Sequence, residues 1–399
     1  MKNLVQMLFT VLILFSCSST GDIGSEDSDY SREDAVSSSS KSGDGGGTEP
    51  SGNGNQNSEA GIVTAGEWND LENWDFWNNL NAGFDQENQE NKNDYWTIFT
   101  NNRISVLVQN SSVAVANAKV ELLKNGLPIW TAKTDNFGKA ELWIDLFQKN
   151  TSVTLSDYQL KVNNEVINTP LKTFDEGVNT IAINTTTSNS NKVEISFIVD
   201  ATGSMGDEIN FLKDDLLDVL NKVKNNNSSK TLLTSSVFYR DEGDDYVTRK
   251  SDFSSNITTT ISFIKKQNAD GGGDYPEAVH SALDVAVNEL SWSEDSKTKI
   301  AFLLLDAPPH YNTLVIENIQ ASITKAAAKG IKIIPITASG IDKGTEFLMR
   351  FCAILTNGTY TFITNHSGVG NEHIEATVGE YEVEKLNELM VRLINKYSE

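Results

Sequence analysis

From Lys192 onward, short apolar runs alternate with amphipathic segments, and no other feature constrains the fold of this chain as strongly. Val193–Val199 is mostly apolar with a β-branched bias, the pattern of a parallel strand covered on both faces. Glu194 and Ser196 interrupt it and predict a less buried face at its start. Residues 205–223 then place Ile209, Leu212, Leu216, Leu220 and Val223 on one face of a helix. The same patterning predicts strands at about 231–239, 299–305, 331–337 and 359–363, and helices at about 276–290, 315–329, 343–355 and 382–397. Such alternation makes a doubly wound, Rossmann-like α/β sheet. In these sheets ligands sit beyond the carboxyl ends of the strands, at a topological switch point.

The loops at those strand ends are rich in oxygen donors. The first strand runs into Asp200-Ala-Thr202-Gly-Ser204, where a carboxylate and two hydroxyls occupy alternate positions of one tight loop. A second loop reads Asp270-Gly-Gly-Gly-Asp274-Tyr-Pro276-Glu277, with three glycines that allow close backbone approach. A third, Asp306-Ala-Pro-Pro-His310, puts a carboxylate directly after the apolar run Phe302–Leu305. Oxygen donors of this kind suit a hard divalent cation that keeps some of its waters.

The three loops resemble the metal-ion-dependent adhesion site of von Willebrand factor A domains, whose signature is D-x-S/T-x-S after the first strand. The resemblance covers about residues 192–398, roughly half the chain. It implies that Asp200, Thr202, Ser204, Glu277 and Asp306 surround Mg²⁺, or Mn²⁺ or Ca²⁺ in its place. Asp274-Tyr-Pro-Glu277 is most similar to the second loop of integrin β I-like domains, where the glutamate binds the central metal. That likeness extends to Asp207, Glu208, Asp241 and Asp274 as ligands of a flanking metal. Gly272 departs from it, standing where integrins supply an asparagine. Without the resemblance, Asp207 and Glu208 are favourable charges at a helix N-terminus, and Asp241–Asp245 is a solvated turn. His310 invites a catalytic role, but a loop-packing histidine is the ordinary expectation beside such a site. Neither a Ser/His/Asp arrangement, nor a phosphate-cradling Gly-Lys-Ser/Thr loop, nor Cys/His zinc spacing is evident.

The rest of the chain reads as address, tether and spacer. Lys2 and the short apolar run Leu4–Phe15 have signal-peptide anatomy over residues 1–16. Leu14-Phe15-Ser16-Cys17 resembles a lipobox, which implies a lipid on Cys17 and a bacterial membrane lipoprotein of the outer membrane or cell surface. Residues 17–60, rich in Ser, Gly, Asp and Glu, predict a disordered tether. Residues 61–96 concentrate Trp68, Trp74, Trp77 and Trp96; packing onto a neighbour is expected, a carbohydrate platform being the alternative. Period-two patterning over 97–186 predicts a small antiparallel sandwich. Its Thr134-Asp-Asn-Phe-Gly138 turn resembles prealbumin-like or carboxypeptidase-regulatory-like sandwiches. Cys352, within an apolar helical stretch, is expected to be a core residue, and two cysteines make no disulfide framework.

Charge bears on partners. With 55 acidic against 32 basic residues, the net charge of −23 is the wrong sign for nucleic acid. An acidic protein ligand would be repelled unless a cation bridged it. The expected function is therefore adhesion or recruitment, without enzymatic turnover, by a partner's acidic residue bound through the metal. A non-adhesive scaffold subunit with a structural metal is the alternative. A metal-dependent hydrolase is a remoter one, since two carboxylate-bridged ions can activate water.

Overall fold

The computed structural model describes residues 63–82, 92–149, 152–184, 190–365, 367 and 374–399. The predicted signal segment, the tether and Cys17 lie outside them. The described chain begins with β1 (Thr64–Trp68), α1 (Trp74–Ala82) and α2 (Lys92–Trp96). The middle module follows as β2 (Arg103–Asn110), β3 (Val113–Ala114), β4 (Lys119–Lys124), β5 (Leu127–Lys133), β6 (Lys139–Trp143), β7 (Tyr158–Val162), β8 (Glu165–Ile167) and β9 (Asn179–Ala182). The C-terminal half runs β10 (Ser190–Asp200), α3 (Gly206–Asn226), β11 (Thr231–Tyr239), β12 (Thr248–Ser254), α4 (Ile257–Ile264) and α5 (Val279–Asp284). It ends with β13 (Ser296–Leu305), α6 (Thr313–Lys329), β14 (Ile331–Thr337), α7 (Lys343–Leu355), β15 (Tyr360–Ile363), β16 (Glu384–Lys385) and α8 (Leu386–Ser398).

One eight-stranded sheet, ordered β12-β11-β10-β13-β14-β15-β1-β16, organises the C-terminal half. β10, β11, β13, β14 and β15 are parallel, as their apolar runs required. The chain leaves β10 for β11 on one side and returns to β13 on the other, so the switch point lies between β10 and β13. α3, α4 and α8 bury one face of the sheet. α5, α6 and α7 bury the other, in a core shared with the middle module. The expected exposed start of β10 is corrected here. Glu194 and Ser196 are both buried, and the Glu194 carboxylate accepts from Ser293 N at 3.0 Å and from Ser293 Oγ at 2.7 Å. A buried carboxylate is tolerated because its oxygens are satisfied.

The Trp-rich segment does more than pack alongside. β1 inserts into the large sheet, antiparallel to β15 with Trp68 opposite Tyr360, and also pairs with β16. Trp68, Trp74, Trp77 and Trp96 are all buried, so none forms the carbohydrate platform held as the alternative. Asp70 and Arg350 of α7 form an ion pair beneath them, buried on both sides. The middle module consists of two four-stranded sheets, β3-β2-β6 with β9 on β2, and β5-β4-β7-β8. Its pairing is antiparallel except that β9 runs parallel to β2. The Thr134–Gly138 turn joins β5 to β6 across the two sheets. There Asp135 Oδ1 accepts from Phe137 N and Lys139 N, and Gly138 takes φ +75°. Cys352 is fully buried in α7, and burial pushes its thiol up to about 12.

Candidate metal centre

β10 and β13 deliver their terminal carboxylates side by side at the switch point. Asp200 ends β10 fully buried. One of its oxygens, Oδ1, accepts from Thr202 N at 2.9 Å and Thr202 Oγ1 at 2.7 Å, which closes the loop into a tight turn. Thr202 and Ser204 alternate with Gly203, whose N–H donates to Gly271 O at 3.1 Å and ties the first loop to the second. Asp306 follows β13, buried, with the exposed Ser204 hydroxyl donating to its carboxylate. Glu277 arrives from the second loop. Its backbone N–H donates to Pro308 O at 2.8 Å and it bridges Pro309 in parallel register, so the third loop positions the second.

The glycines of the second loop are a steric requirement at one position. Gly272 has φ +75°, and a Cβ there would stand 2.9 Å from Glu277 Oε1 and 3.1 Å from Thr202 Cβ. The loop can lie against both only because it carries no side chain. Asp244, in the turn after β11, secures the loop by accepting from Gly272 N at 3.0 Å and from Asp241 N at 3.1 Å.

The resulting electrostatics are one-sided. Burial, then the charge of Asp306, pushes the Asp200 carboxyl up to about 7. Burial pushes Glu277 up to about 9, reinforced by Asp200, Asp241, Asp244 and Asp306. Burial raises Asp306 against the opposing Ser204 hydrogen bond. One oxygen of each of the three, Asp200 Oδ2, Glu277 Oε2 and Asp306 Oδ1, is buried without a hydrogen-bond partner. The buried Tyr239 hydroxyl stands against Asp200, likewise lacking a partner of good geometry. Unpaired buried carboxylates are expensive unless they neutralise or coordinate a cation. Three orphan oxygens with two nearby hydroxyls fit a hard cation; Thr202, Ser204, Glu277 and Asp306 line a cleft of about 380 Å³, and Asp200 is buried beneath Thr202.

The flanking residues do not assemble as one set. Glu208 is buried beside Asp306 and Asp207, and burial with those charges pushes it up to about 7. Asp241 lies on the Glu277 side, and its Oδ1 stands 2.6 Å from His310 Nε2. Asp274 is exposed at the rim of the cleft. Among the described residues no group of three or more His, Cys, Asp or Glu side chains is gathered closely enough to hold a metal ion. Asp244 and Tyr239 escaped sequence reasoning: the first looks like any acidic turn residue, and the second like any strand aromatic. The Asp241–His310 contact joins residues 69 apart in sequence and has no local signal.

The model of the von Willebrand factor A domain matches residues 194–368. An ariadne-like RING finger protein of Acanthamoeba polyphaga mimivirus is 33% identical over 141 residues, which are 33% of this chain and 12% of that protein. The alpha-protein kinase vwkA of Dictyostelium discoideum is 31% identical over 120 residues, 30% of this chain and 19% of that one. The chain thus spans less than a fifth of these curated relatives. Among solved structures, the open conformation of the pilus adhesin SpaC from Lactobacillus rhamnosus GG is 12% identical with a TM-score of 0.34, covering 53% of this chain and 30% of that one. The matched segment takes in β10, α3, the three loops and the switch point between them. Residues 194–368 of this chain are a von Willebrand factor A domain.

Proposed function

We propose that this domain is a cation-dependent protein-binding module. Asp200, Thr202, Ser204, Glu277 and Asp306 hold one Mg²⁺ or Mn²⁺, either directly or through water. The bound ion supplies an open coordination position for a carboxylate from a partner protein. The chain's own residues do the rest. Pro308 and Gly271 carbonyls hold the loops in register, Gly272 leaves room for Glu277, and Asp244 fixes the turn. The observation that carries this reading is that Asp200, Glu277 and Asp306, from three loops, each keep one buried carboxylate oxygen without a partner, and that Glu277 and Asp306 line one cleft with Thr202 and Ser204. With the whole chain at −23, an acidic partner meets repulsion that only a bridging cation relieves. We further propose that Cys17 carries the lipid that anchors the protein to the bacterial outer membrane or cell surface, with residues 17–60 as tether. The site is read as binding without turnover.

Calorimetric titration of the full chain with Mg²⁺ and Mn²⁺ tests this, alongside Asp200→Ala and Ser204→Ala. Saturable binding by the wild type, lost in both variants, is expected. Absence of binding, or binding indifferent to both substitutions, leaves the A domain as a scaffold.

A further inference from the structure

Beside the metal cleft lies a second groove of about 550 Å³. Its walls come from the second and third loops, through Tyr275, Pro276, Pro308, Pro309 and Tyr311, and from Tyr95 of the Trp-rich segment. Tyr275 lines both openings, so the two are neighbours across its ring. The Tyr95 and Tyr311 rings stack at 3.9 Å with planes 15° apart. The wall is braced from behind: Trp96 Nε1 donates to Gly344 O at 2.9 Å, and Gln320 Nε2 donates to the carbonyls of Trp96 and Thr97. Tyr275 and Tyr311 are nevertheless about half exposed, at 47% and 52%.

Most polar side-chain atoms of this groove are already engaged within the protein, the exposed Asp342 keeping one carboxylate oxygen towards solvent. Tyr275 Oη donates to Gly340 O at 2.6 Å, and Tyr311 Oη to Tyr95 O at 3.0 Å. Asp342 Oδ1 accepts from Thr345 N and Oγ1 as the cap of α7. Lys343 Nζ donates to Glu346 and Thr377. Pro308 O accepts from Glu277 N. Apart from the rim carboxylate of Asp342, what the groove offers a visitor is therefore mainly ring faces and proline edges. A sugar, which needs free donors and acceptors, finds few here. A proline or aromatic side chain on an extended peptide finds a fitting surface, as in other aromatic-lined grooves.

We infer that the partner is an extended polypeptide segment carrying an Asp or Glu within a few residues of a proline or aromatic residue. The carboxylate goes to the metal cleft, and the apolar ring lies across Tyr275 against the Tyr95–Tyr311 wall. This rests on the cation-dependent reading above and adds to it that the Trp-rich segment builds part of the binding face.

The probe is a set of fluorescein-labelled decapeptides with one central Asp in a Gly/Ser background. Proline, Phe or Ser is placed in turn at each of the three positions on either side. Anisotropy with the full chain and Mg²⁺ should show Pro- or Phe-bearing peptides binding about tenfold tighter than the Ser series, the effect of one well-packed ring contact. Tyr311→Ser and, independently, Tyr95→Ser should abolish that preference, while Tyr311→Phe keeps it. Mn²⁺ binding, measured separately by calorimetry, should be the same in all three variants. Peptide binding that needs Mg²⁺ but ignores the neighbouring residue and both Ser variants overturns the groove and leaves the metal reading intact. Mg²⁺-dependent binding to immobilised glycans but to no peptide overturns the peptide occupant. Failure of the wild type to bind Mn²⁺ overturns the metal reading and the two-point contact together.

Discussion

Glu277 is the side chain most at odds with its surroundings: buried, orphaned at one oxygen, and raised by four neighbouring negative charges. Its folded value of about 9, and that of about 7 for Asp200, stand above the ordinary 4.5 and 3.8. A carboxyl raised in the folded state favours folding most below its unfolded value, and that contribution is lost as pH rises through the folded value. In EDTA, Tm should therefore fall as pH is raised from about 4 towards about 9, the window bounded by these shifts. Mg²⁺ should restore Tm most at the high end, where it takes the place of the lost protons. A Tm in EDTA that is flat across this window, with Mg²⁺ adding nothing, contradicts the arrangement. Gly272 gives a second test at this scale. Gly272→Ala forces a side chain to φ +75° and into Glu277, so stability should fall by about 1–3 kcal/mol in denaturant titration. Cation affinity should fall with it.

At the scale of elements, the parallel strands and their helices were legible because a strand buried on both faces must be a continuous apolar run. β11 and β14 lie where that rule put them, and β13 begins three residues earlier than expected. β1, with the sequence TAGEW, and the two-residue β16 carry no such signal; they are strands because β15 needs a partner on its open edge. β12 is polar, TRKSDFS, as an edge strand can be, and carries no apolar run to mark it as a strand. The candidate site was legible for a related reason: carboxylates directly after buried strands are conspicuous. The Tyr95–Tyr311 stack was not, since it joins segments 216 residues apart. The buried Asp70–Arg350 pair fastens this N-terminal addition to α7. Removing one partner strands the other charge in the core, so Arg350→Met should cost about 3–5 kcal/mol. Mn²⁺ affinity, measured by calorimetry on the folded variant, should not change, because the pair lies away from the three loops. A loss of cation binding there would tie α7 to the site.

At the scale of the molecule, Ser58–Glu399 is one compact unit in which the A domain shares a core with the middle module and the Trp-rich segment. The acidic surplus of 23 charges over the whole chain gives it a field that repels anionic partners, and salt should weaken that repulsion. At the switch point between β10 and β13 the buried carboxylates of Asp200 and Asp306 lie closest to one another's charge. Anomalous scattering from crystals of the full chain grown with Mn²⁺ addresses this most directly. One strong peak is expected among Asp200, Thr202, Ser204, Glu277 and Asp306, absent in Asp200→Ala crystals. No peak, or a peak placed elsewhere such as beside His310 and Asp241, would contradict it.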